Sequence, residues 1–283
     1  MPTSIWWMTH QATDNGVVEQ PAQKVRLGGM ALRNGLLVHG AEHWATAVRT
    51  RDGSIRVDSG RKPRFRGALA DLPGVRGVAR ITEAFALLPL IKRQVPELKL
   101  PFEDGRMIAA MVASSALSAG VRRGGRTPGR EGALALLGIA PAALALRDSD
   151  LAAYHGVEHK AIAGYEQGTD ASEASKEHDR CGSNLVAPMM LSTLAGNLVV
   201  RSLLKARGPL AGATVALGSV ALSVELFAWS ERHPERPLAR AFHRPGFEMQ
   251  RLFATREPTP EQLEVGRAAM AEILRLELPR DAR

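Results

Sequence analysis

The chain has 283 residues, a net charge of +8 from 37 Lys and Arg against 29 Asp and Glu, and a mean hydropathy of −0.11. That length can bury a core in one large or two small domains, and a single cysteine excludes an internal disulfide. The basic balance admits anionic partners, but aromatics are only 5% and no nucleic-acid module is visible, which favours an anionic lipid surface over nucleic acid.

Residues 1–24 lack a basic start followed by an apolar run, so they read as a loose tail and not as a cleavable signal peptide. Residues 25–66 alternate with a period near two. Asn34-Gly35 and Asp52-Gly53 are turn dipeptides, and together these features predict a β element of three or four strands. Gly28-Gly29 belongs where two backbones approach closely or φ is positive; the pair is too short for a phosphate loop. His39-Gly-Ala-Glu42-His43 lies in this region. In a strand His39 and His43 stand about 13 Å apart, too far for one ion, so a polar turn is the simpler reading and a contribution to a distant metal site the sharper one.

Arg61–Arg66 is basic and proline-containing, a linker or a lipid-facing patch, and residues 67–105 hold an amphipathic helix over Pro73–Ile91 and a proline-punctuated loop. From 106 to 230 come four apolar runs: Met107–Val121, Gly132–Leu146, Leu185–Val200 and Pro209–Trp229. Only the last exceeds the roughly 20 residues that a bilayer requires, and the others rise only ~23 Å as helices. Arginines bracket every run, and small residues recur at helix-packing spacing at Gly212, Ala216 and Ser219, both features of membrane helices. A buried bundle in a soluble protein is the competing reading. Glu225, the one acid inside the last run, is either a further metal ligand or an ion-pair partner at the interface.

Between the second and third runs lies Tyr154–Asn184, YHGVEHKAIAGYEQGTDASEASKEHDRCGSN. On a helix His155 and His159 stand one turn apart on one face, and Glu158 falls beside them. H-x-x-E-H is the inverted zincin spacing, in which two imidazoles bind an ion and the glutamate is the general base. Further on, His178 and Cys181 add a nitrogen and a sulfur donor, and imidazole with thiolate suits zinc better than magnesium or calcium. Residues 231–283 comprise a basic, proline-broken stretch suited to the headgroup level and a last helix. Thr259, Pro260 and Gln262 form that helix's start, and Leu263, Met270, Ile273 and Leu274 its apolar face.

YHGVEHKAIAGYE with HDRCGSN, the glycine-rich RLGGMALRNGLLVHGAEHWATAVRTRDGSI and the closing TREPTPEQLEVGRAAM resemble the YqhQ-like family. The resemblance implies a multi-pass bacterial membrane protein and a metal-dependent enzyme. The expected fold is mainly α: about four apolar, transmembrane helices plus a small N-terminal β element, and the distribution of basic residues places the metal-site loop and both termini on the cytoplasmic side. The expected activity is that of a zinc-dependent hydrolase with Glu158 as base, His155 and His159 as metal ligands, and His178 or Cys181 completing the site. A membrane scaffold with a structural zinc site is the alternative, because four protein ligands would leave no open position.

Overall fold

A computed structural model describes residues 24–63, 72, 74–124, 127–146, 149–200 and 208–278. The expected tail over residues 1–23 and the end of the basic linker at residues 64–66 lie outside the described residues.

The N-terminal region folds as an antiparallel meander of β1 (Gly28–Leu32), β2 (Gly35–His39), β3 (His43–Arg49) and β4 (Ile55–Arg61), in that spatial order. Both turn dipeptides act as the sequence predicts. The Asn34 side chain donates to the carbonyls of Arg49 and Glu97 and accepts from Lys99 N–H, locking the first turn to a distant loop. Gly53 takes a φ of +87° in the second turn, a conformation that costs glycine little.

Side chains alternate across the sheet, and both faces are covered. Leu36, Val38, Ala45 and Ala47 face one way and pack with Tyr154, Val157, Ala161 and Ile162 of α4 (Ser149–Gln167) and with Val265, Ala269 and Ile273 of α8 (Pro260–Glu277). Leu32, Leu37, Trp44 and Val48 face the other way, against Leu87, Leu88 and Ile91 of α1 (Arg76–Gln94). The predicted start of α8 is present: Gln262 N–H donates to Thr259 Oγ1 at 3.3 Å and Thr259 N–H to Gln262 Oε1 at 3.0 Å. Such a reciprocal cap satisfies two helix-end donors, worth about 1 kcal/mol.

Each of the four apolar runs is helical, as α2 (Gly105–Arg123), α3 (Pro128–Leu146), α5 (Val186–Leu198) and α6 (Pro209–Arg232). The chain is thus mainly helical with a small antiparallel sheet. Among the described residues one helix, over Leu210–Arg232, is by itself long and apolar enough to cross a membrane. Gly132–Leu146 and Asp150–Gln167 pass the same test only jointly, across an 87° bend. The expectation of four spans thus goes beyond what length and composition together support: α2 and α3 have 19 residues each, yet only the α6 segment qualifies by itself. The remaining helix, α7 (Pro237–Met249), continues into a π-helical turn over Gln250–Ala254.

Candidate metal centre

The H-x-x-E-H residues lie in the middle of α4, on the helix that fills the sheet's core-facing side. The His155 and His159 rings are 4.4 Å apart between centroids. Each turns its Nδ1 to a backbone carbonyl: His155 to Ala254 O at 2.8 Å and His159 to Lys176 O at 2.6 Å. A carbonyl can only accept, so both Nδ1 atoms carry the proton and both Nε2 lone pairs are left for a ligand. Cys181 Sγ lies 3.4 Å from His155 Nε2. The donor atoms of His155, His159 and Cys181 all fall within 4.8 Å of one another, a group able to hold a metal ion.

Cys181 is delivered by the chain after α4. Its Sγ accepts the Ser183 N–H at 3.5 Å at the start of the short 3₁₀ turn Gly182–Leu185. The buried Gln250 side chain anchors that segment. Its Oε1 accepts His178 N–H at 2.7 Å, and its Nε2 donates to His178 O at 3.2 Å and to Ser183 Oγ at 2.9 Å. The π-helical turn that carries Gln250 ends at Ala254, whose carbonyl holds His155. One irregular turn therefore fixes both the loop ligand and a helix ligand, and wide turns of this kind are often found at functional sites.

Glu158 completes the constellation without joining the donor group. Its Oε2 is 3.9 Å from His159 Nε2, and the residue is only 8% exposed. Burial pushes its carboxyl up to about 7, an effect that the His155 ring opposes and Cys181 reinforces. Burial likewise lowers His159 to about 2, lowers His178 and raises the Cys181 thiol. The His159 imidazole thus stays neutral, the form that ligates.

Gly29 is the structural partner of Glu158. A Cβ placed on it would lie 2.7 Å from Glu158 Cγ and Oε1. The close approach expected at Gly28-Gly29 is real, but its partner is a side chain, and φ is not positive at either glycine.

The other sequence candidates sit elsewhere. The His178 ring lies 5.6 Å from that of His159 in a tilted arrangement, yet its Nε2 bonds Glu166 Oε2 at 3.3 Å and its Nδ1 accepts Arg180 N–H at 3.3 Å. Glu166 also pairs with Arg180. Both His178 nitrogens are thus engaged, and the ring stands outside the donor group. His39 faces the α1 side of the sheet with its Nδ1 3.3 Å from Lys62 Nζ; burial, then Lys62, lowers its pKa to about 4. His43 faces α8, its Nδ1 3.4 Å from Glu277 Oε1. Glu225 accepts the Gly74 N–H at 2.9 Å, tying α6 to the start of α1.

Residues 149–276, which hold this centre, match the family described as "Protein of unknown function (DUF1385)". Over 132 residues the chain is 32% identical to "Uncharacterized protein YqhQ" of Bacillus subtilis (strain 168), an alignment covering 44% of this chain and 40% of that protein. The matched part is thus less than half the length of that relative. Across this segment the chain is similar to that family and to that protein, in the region where its histidine and cysteine motifs lie. No solved structure matches the chain.

Proposed function

We propose that this protein is a zinc-dependent hydrolase working at the surface of a bilayer, with His155, His159 and Cys181 as metal ligands and Glu158 as general base. The observation that carries the reading is the count of donors. Three converge, and the fourth sequence candidate, His178, has both nitrogens committed to Glu166 and Arg180. A three-ligand set leaves a position for water or substrate, as catalytic zinc requires, whereas a structural staple takes four protein ligands. Two imidazoles and a thiolate suit zinc and disfavour magnesium and calcium.

When bound, such an ion acts as a Lewis acid that acidifies water and polarises a carbonyl. The chain's own residues do the rest. Glu158, with a carboxyl poised near neutrality by burial, accepts the proton of the attacking water and returns it to the leaving group. The carbonyls of Ala254 and Lys176 hold the two rings in one tautomer and one orientation. Packing of α4 on the sheet limits water around the base.

The membrane part of the reading rests on exposed apolar surface. Val112, Leu117, Leu136, Leu194, Leu198 and Leu217, from α2, α3, α5 and α6, are each more than half exposed. Large apolar side chains exposed on four helices call for lipid or another cover. In this reading α2, α3 and α5 also span, with flanking arginines snorkelling to the interface, giving a multi-pass protein with the metal centre and both termini on the cytoplasmic side. Exposed Arg236 just before α7 and Arg240 and Arg244 on it, interspersed with exposed Leu238 and Phe247, suit an anionic headgroup layer.

The test is metal analysis of detergent-purified protein, wild type beside H155A, H159A and E158Q. The reading expects one zinc per wild-type chain, none in the histidine variants, and full zinc with lost hydrolysis in E158Q. Protein that binds no divalent metal, or histidine variants with wild-type metal content, would overturn it.

A further inference from the structure

β1 is an outer strand of the sheet, and its alternation can be fixed from neighbouring hydrogen bonds. Arg49 N–H donates to Asn34 O and Gly40 N–H to His43 O, so the even-numbered residues of β2 bond towards β3. The odd-numbered ones, Gly35, Leu37 and His39, therefore bond Leu32, Met30 and Gly28 of β1. Gly29 and Ala31 must then turn their N–H and C=O groups away from the sheet. Among the described residues no hydrogen bond meets them there. Gly28 to Ala31 are partly open to solvent.

The two edges of the sheet differ in how they are guarded. The opposite edge, β4, carries Arg56, Asp58 and Arg61, with Arg56 paired to Glu97 and Asp58, the usual protection against pairing with another strand. The open part of β1 reads Gly-Gly-Met-Ala and has no charge. That unguarded stretch is also where the sheet touches the metal centre, because Gly29 leaves the space that Glu158 occupies.

We propose that the extended backbone of a polypeptide substrate pairs with the outer edge of β1 at Gly29 and Ala31, and so passes beside Glu158 and the His155–His159–Cys181 group. The inference rests on the metal-hydrolase reading and names its substrate class. An open strand edge offers a donor and an acceptor at every second residue, a repeat of about 6.8 Å that an extended peptide matches and a lipid ester does not. Gly29 has no side chain, and Glu158 fills the space beside it, so a chain paired at Gly29 lies next to the base.

The experiment uses full-length, zinc-loaded protein in detergent, with unfolded casein as the extended-chain probe. In the E158Q variant casein should slow amide hydrogen exchange at Gly29 and Ala31 by about ten-fold, leaving Gly28, Met30 and Leu32 unchanged. Ala31→Pro removes an outward donor while sparing the β1–β2 ladder, as proline on an edge strand can. It should keep its zinc and cleave casein at least about ten-fold more slowly, the loss of one or more docking hydrogen bonds. Unchanged exchange at Gly29 and Ala31 overturns the proposal, including when only lipid esters are hydrolysed. Equal casein cleavage by wild type and Ala31→Pro also overturns it, and leaves the hydrolase standing. Protection of the two amides without any cleavage by wild type keeps the docking edge and removes the hydrolase. If Ala31→Pro does not fold, the exchange measurement alone decides.

Discussion

Cys181 Sγ and His155 Nε2 come within 3.4 Å although 26 residues separate them in the chain. Cys181→Ser replaces a soft sulfur donor by a hydroxyl and is expected to weaken metal binding by more than about 100-fold, beyond the effect typical of outer-shell changes. His178→Ala should leave the metal stoichiometry unchanged, since its ring is held by Glu166 and Arg180. Competition with a chromogenic chelator measures both, and a His178 variant without metal would return that ring to the ligand set.

Gln250 is fully buried and makes three hydrogen bonds to the loop that carries Cys181. Gln250→Ala leaves buried backbone groups unpaired and should cost about 2–4 kcal/mol. Because it loosens the loop ligand, it should also weaken metal binding by about 10–100-fold. Gln250→Glu keeps the acceptor for His178 N–H and loses both donors, so it should fall between the two. Urea unfolding followed by metal titration separates the stability effect from the affinity effect.

The buried carboxyl of Glu158 gives the metal-free protein a pH signature. Its folded value is near 7 and its ordinary value is 4.5, so between these pH values the folded chain holds a proton that the unfolded chain has lost. Stability therefore falls as pH rises through this window, by about 3 kcal/mol at most. Glu158→Gln is neutral at every pH and should flatten that part of the profile. Unfolding curves of the chelator-treated protein from pH 4.5 to 8 provide the measurement, and a wild-type profile parallel to the variant's would count against a buried, protonated Glu158.

Gly29→Ala puts a methyl group where Glu158 now lies, 2.7 Å from its nearest atoms. Overpacking of this kind costs about 1–3 kcal/mol. The ligands themselves are untouched, so zinc content should hold while hydrolysis declines because the base is displaced. Metal analysis beside activity distinguishes this from general unfolding, in which both would be lost.

For the membrane reading, Leu217 is the most direct probe. It lies within α6, is 64% exposed and is far from the metal ligands in sequence. Leu217→Arg is expected to cost about 3 kcal/mol of insertion if that face meets hydrocarbon near the bilayer centre. Carbonate extraction of membranes should then release more of the variant than of wild type. Wild-type protein that fractionates without detergent would sink the spanning helices altogether.

Short-range chemistry in the sequence determined a good deal. The Asn34-Gly35 and Asp52-Gly53 turns, the Thr259 cap, the helicity of all four apolar runs and the one-turn spacing of His155 and His159 follow from a few neighbouring residues each, and local patterns are what a sequence records directly. Tertiary structure alone decided which distant groups meet. His178 and Cys181 are equally good donors three residues apart, and only the fold of the loop turns the thiol towards His155 and gives the imidazole to Glu166. The same holds for Gln250, whose role is invisible until its turn packs on that loop, and for Gly29, whose close approach was foreseeable while its partner Glu158 was not. Spacing along a helix is set by backbone geometry, whereas contacts across 26, 72 or 129 residues exist only once the sheet and α4 have closed a common core.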